Sequence, residues 1–457
     1  MNLPNYFLAD VPEPAALTPA VVADACQALK RNRAHYLAQR GTGELIEMLA
    51  ALAEDWLDPA NPFRRRALEL GPAATGFPAP TLAAGLDAFF ESLTPEALHE
   101  LVVQDLGHPQ RLERLSGHES EGGPTRLALA RGPELLAHIT GGVLPAPPFL
   151  SLVLGLLARA AQFVKCASGT SLLPRLFAHS LYEIEPKLAA CIEIAEWKGG
   201  HAALEEALFA QADCVAVMGT DETLAQIRPR LPVGTRFLGY GHRVSFGYIA
   251  QEMLSAHQLP RLAAAAAIDV SAWNQLGCLS PHLFYVETGG RNSPEQFAEQ
   301  FATALHSAEA TVPRGTLPLE SSAAIASRRA FYEVRAAHSP DTRLWSSPES
   351  TAWTVVYERD PRFQRSCLNR FVYVKAVTDL EEALQGADGL RGQVSTVGLA
   401  ATGTKESELA HRLARWGVTR ICPLGRMQRP PPAWRHDGRP SLGDLITWTD
   451  WELPPRW

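Results

Sequence analysis

The residue of this sequence best suited to covalent chemistry is Cys278, which lies between Gly277 and the turn-forming segment Leu279-Ser280-Pro281. A glycine on one side and a Ser-Pro pair on the other favour a tight bend with the sulfur exposed. An exposed thiolate is a strong nucleophile toward carbonyls and thioesters. The alternative is a small buried hydrophobic residue, which is what most free cysteines are.

Two histidines are candidates for proton transfer. His282 follows four residues after Cys278, and His242 lies in the segment Tyr240-Gly241-His242-Arg243. A neighbouring imidazolium lowers the pKa of a thiol, and histidine exchanges protons near neutral pH. A packed, hydrogen-bonded histidine is the alternative for both residues.

From about residue 125 the sequence alternates between strand and helix patterns. Strands are predicted at 127–130, 135–139, 163–165, 192–197, 214–218 and 236–240, and helices at 148–161, 174–182 and 202–210. Such alternation predicts a parallel, doubly wound sheet that binds ligands beyond the carboxyl ends of its strands. Lys165, Ser168, Gly219, Thr220 and Gly241 fall at such ends and are therefore binding candidates. The Gly-x-Gly-x-x-Gly fingerprint is absent, which weakens the prediction of an ordinary dinucleotide site.

The flanking parts position these candidates. Residues 15–110 have helical periodicity and carry no recognisable chemistry, so they are interpreted as an accessory helical layer. A strand at 283–286 follows Cys278, and strands at 368–376, 393–400 and 418–423 alternate with helices at 380–384 and 406–416. The Pro-rich basic segment 426–435 is predicted to be a surface loop. The tail with Trp434, Trp448 and Trp451 is expected to cover a substrate entrance or a subunit interface.

The composition is that of a globular protein of two or three domains, with 457 residues, 46% hydrophobic and 20% charged, and a net charge of -7. The chain has no excess of basic residues that would suggest nucleic-acid binding. The seven cysteines contain no Cys-x-x-Cys pair, which argues against disulfides or a metal site and favours the cytoplasm. No signal peptide is evident, and the longest apolar run contains Arg159 and Gln162, so no membrane span is expected.

Nine segments occur in a telling order: FVKCASGTSLLPRLFAHSL at 163–181, EWKGG at 196–200, VMGTDETLAQIRPRLP at 217–232, YGHRVSFG at 240–247, WNQLGCLSPHLFYVE at 273–287, LNRFVYVKAV at 368–377, VSTVGLAA at 394–401, GVTRICPLGRM at 417–427 and WRHDGRPSLGDLITWTDWE at 434–452. In this order they resemble the acyl-CoA reductase family. That family includes the fatty acid reductase subunit of bacterial bioluminescence operons and is an outlying branch of the aldehyde dehydrogenase superfamily. The resemblance covers the chain from about residue 125 onward.

The resemblance implies an aldehyde dehydrogenase-like α/β fold, with two doubly wound domains after an N-terminal helical region. On this basis we predict a mainly helical region at 1–124 and a nucleotide-binding α/β domain at 125–250. A catalytic α/β domain carrying Cys278 is predicted at 251–430. The remaining residues, 431–457, form the tail. The resemblance also implies a homo-oligomer.

The functional residues of the family map onto individual positions. Cys278 matches the nucleophile, which takes the acyl group of a thioester before hydride from a reduced nicotinamide releases an aldehyde. Lys165 matches a lysine that reaches the adenosine ribose. Ser168 stands where NAD-preferring enzymes carry a glutamate, which favours NADPH because serine does not repel a 2′-phosphate. Gly219 and Thr220 resemble a pair before a helix that faces the pyrophosphate. The alternative for Lys165 is an ordinary exposed lysine. The alternative for Gly219 and Thr220 is a plain turn between a strand and a helix.

Three positions depart from the superfamily. His242 lies where hydrolytic enzymes carry a glutamate that activates water. The absence of a glutamate from 240–243 suits a reductase that must preserve its acyl-enzyme. The loop 140–145 has no asparagine, although the superfamily places one there to hold the oxyanion. The backbone amide of Cys278 is a candidate replacement. Glu349 matches the nicotinamide-ribose glutamate poorly and is interpreted as a solvent-exposed acid.

The resulting hypothesis is an NADPH-dependent oxidoreductase that converts an acyl thioester, on coenzyme A or a carrier protein, to a fatty aldehyde through an acyl-Cys278 intermediate. One alternative is a cysteine acyltransferase or thioesterase without hydride transfer. Another is a catalytically impaired scaffold partner, suggested by the missing loop asparagine. An acyl-protein synthetase or acyltransferase is a candidate partner.

Overall fold

A computed structural model describes residues 3–11, 17–117 and 125–454 of the chain. The parts of the predicted N-terminal region and tail at 1–2, 12–16, 118–124 and 455–457 lie outside the described residues. The described part comprises N-terminal helices, a five-stranded sheet, a seven-stranded sheet and a two-stranded ribbon. This is the α/β architecture with a helical N-terminal region that the sequence predicts.

Five helices build the N-terminal region. They are α1 (Pro19–Tyr36), α2 (Thr42–Leu57), α3 (Pro62–Thr75), α4 (Ala79–Phe90) and α5 (Pro95–Leu106). The start of α5 has the predicted cap, since the Thr94 hydroxyl accepts a hydrogen bond from the Ala97 amide at 3.2 Å and Pro95 takes the first helical position.

A parallel five-stranded sheet follows. The elements of this part are β1 (Arg126–Arg131), β2 (Leu135–Ile139), α6 (Ala146–Leu157), β3 (Ala161–Cys166), α7 (Leu172–Ile184), α8 (Pro186–Ala189), β4 (Ile192–Glu196), α9 (Ala202–Phe209), β5 (Cys214–Met218), α10 (Asp221–Ile227) and β6 (Arg236–Tyr240). Strands β2 to β6 pair in parallel in the order β4-β3-β2-β5-β6. The order reverses beside β2, as in a doubly wound sheet.

The seven-stranded sheet contains the remaining α/β elements. They are β7 (Val244–Ile249), α11 (Leu259–Ser271), β8 (Pro281–Glu287), α12 (Pro294–Thr311), α13 (Leu319–His338), β9 (Thr342–Ser346), β10 (Thr354–Glu358), β11 (Phe371–Val377), α14 (Leu380–Gly386), β12 (Val394–Ala400), α15 (Gly403–Trp416) and β13 (Arg420–Pro423). The strand order is β13-β12-β7-β8-β11-β10-β9, and all pairs are parallel except β9 with β10. Finally, β14 (Thr447–Glu452) pairs antiparallel with β1. Within the described ranges, no helix combines the length and apolar character needed to cross a membrane.

Strand β7 marks the change from one sheet to the other. Its six buried residues pair with β8 and β12, which places the strand in the larger sheet. The predicted division at residue 250 groups the same residues with the nucleotide-binding part. An apolar strand buried on both faces does not reveal from its own sequence which sheet it joins.

The N-terminal helices share one core with the smaller sheet. Trp56 of α2 and Phe90 of α4 stack with ring centroids 5.0 Å apart, as do Phe149 of α6 and Phe177 of α7. The Trp56 Nε1–H donates to Ser180 Oγ at 2.8 Å, which satisfies the polar atom of this buried ring. The helices therefore belong to the core, and α4 is held rigidly next to the functional site.

Candidate active site

Cys278 lies in the turn before β8, where it is half-buried and lines a cavity formed by residues of both sheet domains. The Ser280 amide donates to the Gly277 carbonyl at 3.0 Å, which closes the predicted tight turn. Ser245 of β7 donates through Oγ to the Cys278 carbonyl at 2.7 Å and accepts from the Thr396 amide of β12 at 3.1 Å. Two central strands thus fix the backbone at the thiol.

The backbone just before this turn is strained. Trp273, Asn274 and Gln275 have φ angles of 52, 51 and 62°, a region that non-glycine residues rarely occupy. Asn274 Nδ2 donates to the Arg314 carbonyl at 2.9 Å, and Gln275 Nε2 donates to the Pro281 carbonyl at 2.8 Å. Strain of this kind persists where the surroundings over-determine it, and it clusters at functional sites.

A second left-handed run ends at Arg370, whose φ is 67°, and lies against the first. The Asn369 amide donates to the Asn274 carbonyl at 2.9 Å. Arg370 is fully buried, and its Nε donates to Asn274 Oδ1 at 3.0 Å. Its terminal nitrogens reach the Glu309 carboxylate at 2.8 Å and the Val312 carbonyl at 2.7 Å. Arg370 therefore ties the strained segment to α12 and to the chain that follows it.

The cavity beside Cys278 is predominantly apolar and encloses about 160 Å³. Its walls come from α4, α6, the smaller sheet and the turn before Cys278, and they include Phe89, Leu144, Leu150, Leu154, Leu238 and Trp273. Removing a methylene group from water contributes about 0.8 kcal/mol. The arrangement can therefore hold a hydrocarbon chain whose reactive end meets the thiol.

The Pro-rich segment 426–435 is irregular chain with Arg426, Arg429 and Arg435 exposed, as a surface loop would be, but its inner side forms part of the cavity wall. The buried Asp269 carboxylate of α11 accepts from the Gly425 amide at 2.6 Å and from the Met427 amide at 2.9 Å. Met427 is fully buried, and Gln428 to Pro432 line the cavity. Composition suggests exposure for such a segment, but a distant carboxylate satisfies its backbone here.

Part of the predicted tail continues this wall. Trp434, His436 and Leu445 line the cavity. The His436 ring stacks between Tyr240 and Trp434, with centroid distances of 4.5 and 4.6 Å. In contrast, Trp448 lies on β14 and is exposed.

The electrostatic surroundings favour the neutral thiol. Burial, and to a lesser extent the nearby Asp437 carboxylate, raises the pKa of Cys278 to about 12. The backbone amides of Cys278 and Leu279 and the guanidinium of Arg243 act in the opposite direction. Arg243 Nε lies 3.4 Å from Asp437 Oδ2, so part of its charge is neutralised. The resting thiol is therefore protonated near neutral pH, and it must lose its proton before or during attack.

Location distinguishes Cys278 from the other cysteines better than acidity does. Burial raises the thiol pKa of four others to about 12 as well, namely Cys26, Cys166, Cys191 and Cys214. All seven cysteines lie in the described ranges, and of these Cys278 lines the cavity.

The loop after β2 approaches the turn at Cys278, although it contains no asparagine. Leu144 of this loop and the Gln428 side chain both face Gly277, since a methyl group added there would lie 3.5 Å from Leu144 Cδ1 and 3.6 Å from Gln428 Oε1. Gln428 Nε2 donates to Ser280 Oγ at 3.0 Å. A side-chain amide from the segment after β13 thus lies beside the turn that carries Cys278. Nothing in the local sequence around Gln428 indicates this position.

The two candidate histidines lie in different environments. His242 is exposed on the turn between β6 and β7, outside the cavity wall, and its amide donates to Asp221 Oδ1 at 2.9 Å. His282 is buried at the start of β8, and its Nδ1 accepts from the Ser366 amide at 3.1 Å. Burial lowers the pKa of His282 to about 4, so the ring is neutral near pH 7. A His282 imidazolium that acidifies the thiol is therefore not supported.

Lys165 is buried at the end of β3, with 3% of its surface exposed, and is not an ordinary solvent-exposed lysine. Its Nζ lies 5.9 Å from the centroid of the Trp197 ring, and burial lowers its pKa. Ser168 is exposed on the turn that follows. Glu196, at the end of β4, faces this turn and accepts from the Gly169 amide at 2.7 Å. This carboxylate is not among the site residues that the sequence predicts.

Gly219 and Thr220 follow β5 at the same edge of the sheet as Lys165. Thr220 caps the short helix α10, since its hydroxyl accepts from the Thr223 amide at 3.3 Å. Asp221 and Glu222 occupy the first turn of that helix. Their charges stabilise the helix start but repel a phosphate placed there. The predicted cofactor residues therefore lie at one edge of the smaller sheet. The predicted pyrophosphate contact at Gly219 and Thr220 is followed directly by Asp221 and Glu222.

Comparisons with known sequences agree with this geometry. A family model described as acyl-CoA reductase (LuxC) matches residues 37–448. A long-chain acyl-protein thioester reductase of Aliivibrio fischeri is 23% identical over 328 residues, which are 69% of this chain and 64% of that protein. The matched part therefore spans less than two thirds of the length of that relative.

Solved structures share the fold. An NADP-dependent glyceraldehyde-3-phosphate dehydrogenase from Bacillus halodurans, complexed with NADP, has a TM-score of 0.67 at 15% identity, covering 96% of this chain and 92% of that chain. An NAD-dependent benzaldehyde dehydrogenase from Corynebacterium glutamicum has a TM-score of 0.67 at 14% identity, covering 95% and 90%. The predicted aldehyde dehydrogenase-like fold is confirmed.

Proposed function

Because the chain belongs to the acyl-CoA reductase (LuxC) family, we propose that it reduces an acyl thioester to an aldehyde through a covalent acyl group on Cys278. NADPH is the hydride donor, and coenzyme A or a carrier protein is the leaving thiol. The observation that carries the proposal is the Cys278 thiol in the wall of an apolar cavity. Each methylene buried there adds about 0.8 kcal/mol, so long acyl groups are favoured over short ones.

Acylation requires the chain to supply a nucleophile and an oxyanion site. The Cys278 sulfur attacks the thioester carbonyl, the bond to the carrier sulfur breaks, and the carrier leaves as a thiol with the proton that Cys278 loses. The backbone amides of Cys278 and Leu279, which act to lower the pKa of the Cys278 thiol, are the proposed hydrogen-bond donors to the oxyanion. The side-chain amide of Gln428 is the proposed replacement for the missing loop asparagine.

The product is released by reduction of the acyl group and cleavage of its bond to Cys278. When bound at the edge that carries Lys165, Gly219 and Thr220, a reduced nicotinamide would supply a hydride to the acyl carbonyl carbon, and the carbonyl oxygen would take a proton from solvent to give a thiohemiacetal. The carbon–sulfur bond then breaks, the aldehyde leaves, and Cys278 regains its proton. His242, on the exposed turn after β6, is the proposed carrier of this proton from solvent. The absence of a glutamate at 240–243 supports reduction over hydrolysis of the acyl-enzyme.

The carboxyl edge of the smaller sheet is the proposed site of the nicotinamide dinucleotide. Lys165 would reach the adenosine ribose, and Gly219 with Thr220 would contact the pyrophosphate. Ser168 offers a hydroxyl where a carboxylate would repel a 2′-phosphate, which supports NADPH. The neighbouring Glu196 carboxylate is turned toward backbone amides of the same turn, which offsets its charge.

The direct test follows NADPH oxidation and aldehyde formation with acyl-CoAs of graded chain length. Wild type is compared with Cys278→Ala and with Cys422→Ala, a second partly exposed cysteine, as the matched control. We expect turnover in wild type and in the control, and none in Cys278→Ala. Intact-mass spectrometry without NADPH should show one acyl group on wild type and on the control.

Two outcomes contradict the proposal. Acylation of Cys278 without NADPH oxidation would indicate an acyltransferase or thioesterase. Neither acylation nor turnover would indicate a scaffold that keeps the fold. Presenting the same acyl group on coenzyme A and on a carrier protein identifies the substrate form, and light scattering tests the proposed homo-oligomer.

A further inference from the structure

An ion pair connects two walls of the apolar cavity at its mouth. Within the described cavity wall, Arg429 and Pro431 are the exposed residues, so the cavity opens to solvent beside the Pro-rich segment. Arg429 Nη1 lies 3.1 Å from Oε2 of Glu91, the residue that ends α4. Phe89 and Ser92, close to Glu91 in sequence, line the same cavity. The paired charges therefore lie where a hydrocarbon chain enters or leaves.

The backbone near Arg429 is anchored on both sides. Arg420 Nη1 of β13 donates to the Met427 carbonyl at 2.7 Å, and Gln104 Nε2 of α5 donates to the Ala433 carbonyl at 2.7 Å. Three consecutive prolines between these anchors have fixed φ angles. The Arg429 side chain is therefore the part of this wall that can move while the backbone of the segment stays in place.

The ion pair itself is weak enough to open. The Arg429 and Glu91 side chains are 44% and 53% exposed, and exposed pairs contribute little because water and salt screen them. Exposed side chains change rotamer within nanoseconds or faster. The guanidinium therefore exchanges between a state paired with Glu91 and states turned toward solvent. Passage of a hydrocarbon chain through the paired state would strip water from both charges, which is unfavourable.

We propose that Arg429 is a side-chain gate at the cavity mouth. Paired with Glu91, its guanidinium obstructs the mouth; turned toward solvent, it lets the acyl chain enter and the aldehyde leave. This inference rests on the proposed function and adds the route by which substrate and product reach Cys278. Because the gate acts in the same way on the empty and the occupied cavity, it slows association and dissociation equally and leaves the binding equilibrium almost unchanged.

The test measures the binding of a brominated long-chain alcohol to the wild type by stopped-flow fluorescence. The bromine atoms quench Trp273 and Trp434, which line the cavity, and the alcohol is neutral and has no thioester to react. In Glu91→Gln the Arg429 side chain keeps its size but loses its partner. We expect the association and dissociation rates to rise together by about threefold, with the dissociation constant unchanged within about twofold.

Exchanging the charges gives the sharpest comparison. Arg429→Glu places two carboxylates at the mouth and should raise both rates, whereas Arg429→Glu combined with Glu91→Arg restores the pair and should restore the wild-type rates. High salt should accelerate wild type but not Glu91→Gln. The matched control is Arg412→Gln, which removes an ion pair with Glu381 of similar exposure outside the cavity wall. It should leave both rates unchanged.

The outcomes separate the gate from the reductase proposal, because alcohol binding needs neither the thiol nor NADPH. If the two rates respond as expected but wild type does not oxidise NADPH, the reductase proposal fails and the gate stands. If NADPH is oxidised but the rates are equal in all variants, the gate alone fails. A change confined to dissociation also overturns the gate, since it would mark Arg429 as a contact to the bound chain. Should a variant not fold, the salt dependence of the wild-type rates decides.

Discussion

Gly85 of α4 lies so close to the indole of Trp273 that a methyl group on Gly85 would be 2.1 Å from the ring carbons Cη2 and Cζ2. Trp273 opens the left-handed segment that leads to Cys278. The sequence of the N-terminal helices suggests an accessory layer without chemistry. This contact shows instead that α4 packs directly against the segment before Cys278 and shares a cavity wall with it.

We therefore predict that Gly85→Ala impairs both stability and activity. The ring or the helix must move to relieve the overlap, and overpacking of this kind costs about 1–3 kcal/mol. Because Trp273 also lines the cavity, kcat/KM for acyl substrates should fall by about tenfold. Thermal unfolding and steady-state kinetics measure the two effects. Gly43→Ala is the matched control, since Gly43 in α2 faces open space, and it should be neutral or slightly stabilising. Equal behaviour of the two variants would contradict the prediction.

Arg370 gives a second prediction, because it is a fully buried cation that holds Asn274 and Glu309 together. Arg370→Met should cost about 3–5 kcal/mol in the free energy of unfolding, since it leaves buried acceptors unpaired. Urea denaturation measures this change. Arg412→Met removes an exposed ion pair with Glu381 and should cost less than about 1 kcal/mol. A loss no larger than that of the control would show that the strained segment does not depend on Arg370.

Local patterns predict the elements that end in clear punctuation. The strands Cys214–Met218 and Arg236–Tyr240 have the bounds that the sequence predicts, because each is a short apolar run followed by glycine. In contrast, the helices at 294–311 and 319–338 are not among the predicted elements. The first of these helices nevertheless begins with a local start signal, the capping box of Ser293 and Gln296.

Only part of the candidate site is predictable from the local sequence. Cys278 and Lys165 are indicated by residue type and by position at a turn or strand end. Gln428 is not, because its importance comes from which distant residues surround it. Gln428 lies beside the turn of Cys278, in a segment whose Gly425 and Met427 amides donate to the distant Asp269. Such contacts between residues far apart in sequence have no local signature.

The buried neutral state of His282 makes a prediction about acid stability. Its folded pKa of about 4 lies below the ordinary 6.5, so the unfolded chain binds more protons between these values. This contribution to stability is present above pH 6.5 and is lost as the pH falls toward 4. Relative to His282→Asn, wild type should therefore lose up to about 2 kcal/mol between pH 7 and pH 5. Chemical denaturation at both pH values tests this. The exposed His99→Asn is the control, and a His282→Asn difference that is independent of pH would contradict the prediction.

The turn after β3, which carries Ser168, is proposed to set the preference for NADPH over NADH. Ser168→Glu places a second carboxylate near Glu196, where a 2′-phosphate is proposed to bind. We expect kcat/KM for NADPH to fall by about tenfold or more, and that for NADH to change little. Ser168→Ala separates the lost hydroxyl from the added charge and should have a smaller effect. A wild type that uses NADH as well as NADPH, with no response to Ser168→Glu, would contradict both the preference and the location.

The ion pair between Asp437 and Arg243 makes the acidity of Cys278 adjustable. Removing the Asp437 charge lowers the thiol pKa, because that carboxylate raises it and also partly neutralises Arg243. Asn is the suitable replacement, since Asp437 has a φ of 54° that asparagine tolerates. At pH 8 the rate of Cys278 alkylation by iodoacetamide should rise by about tenfold per pKa unit in Asp437→Asn. Arg243→Gln should slow it. Peptide mass spectrometry reports the rate at Cys278, with Cys422 in the same samples as the internal control. Rates that move together at both cysteines, or that respond equally to the two substitutions, would show that the pair does not control the thiol.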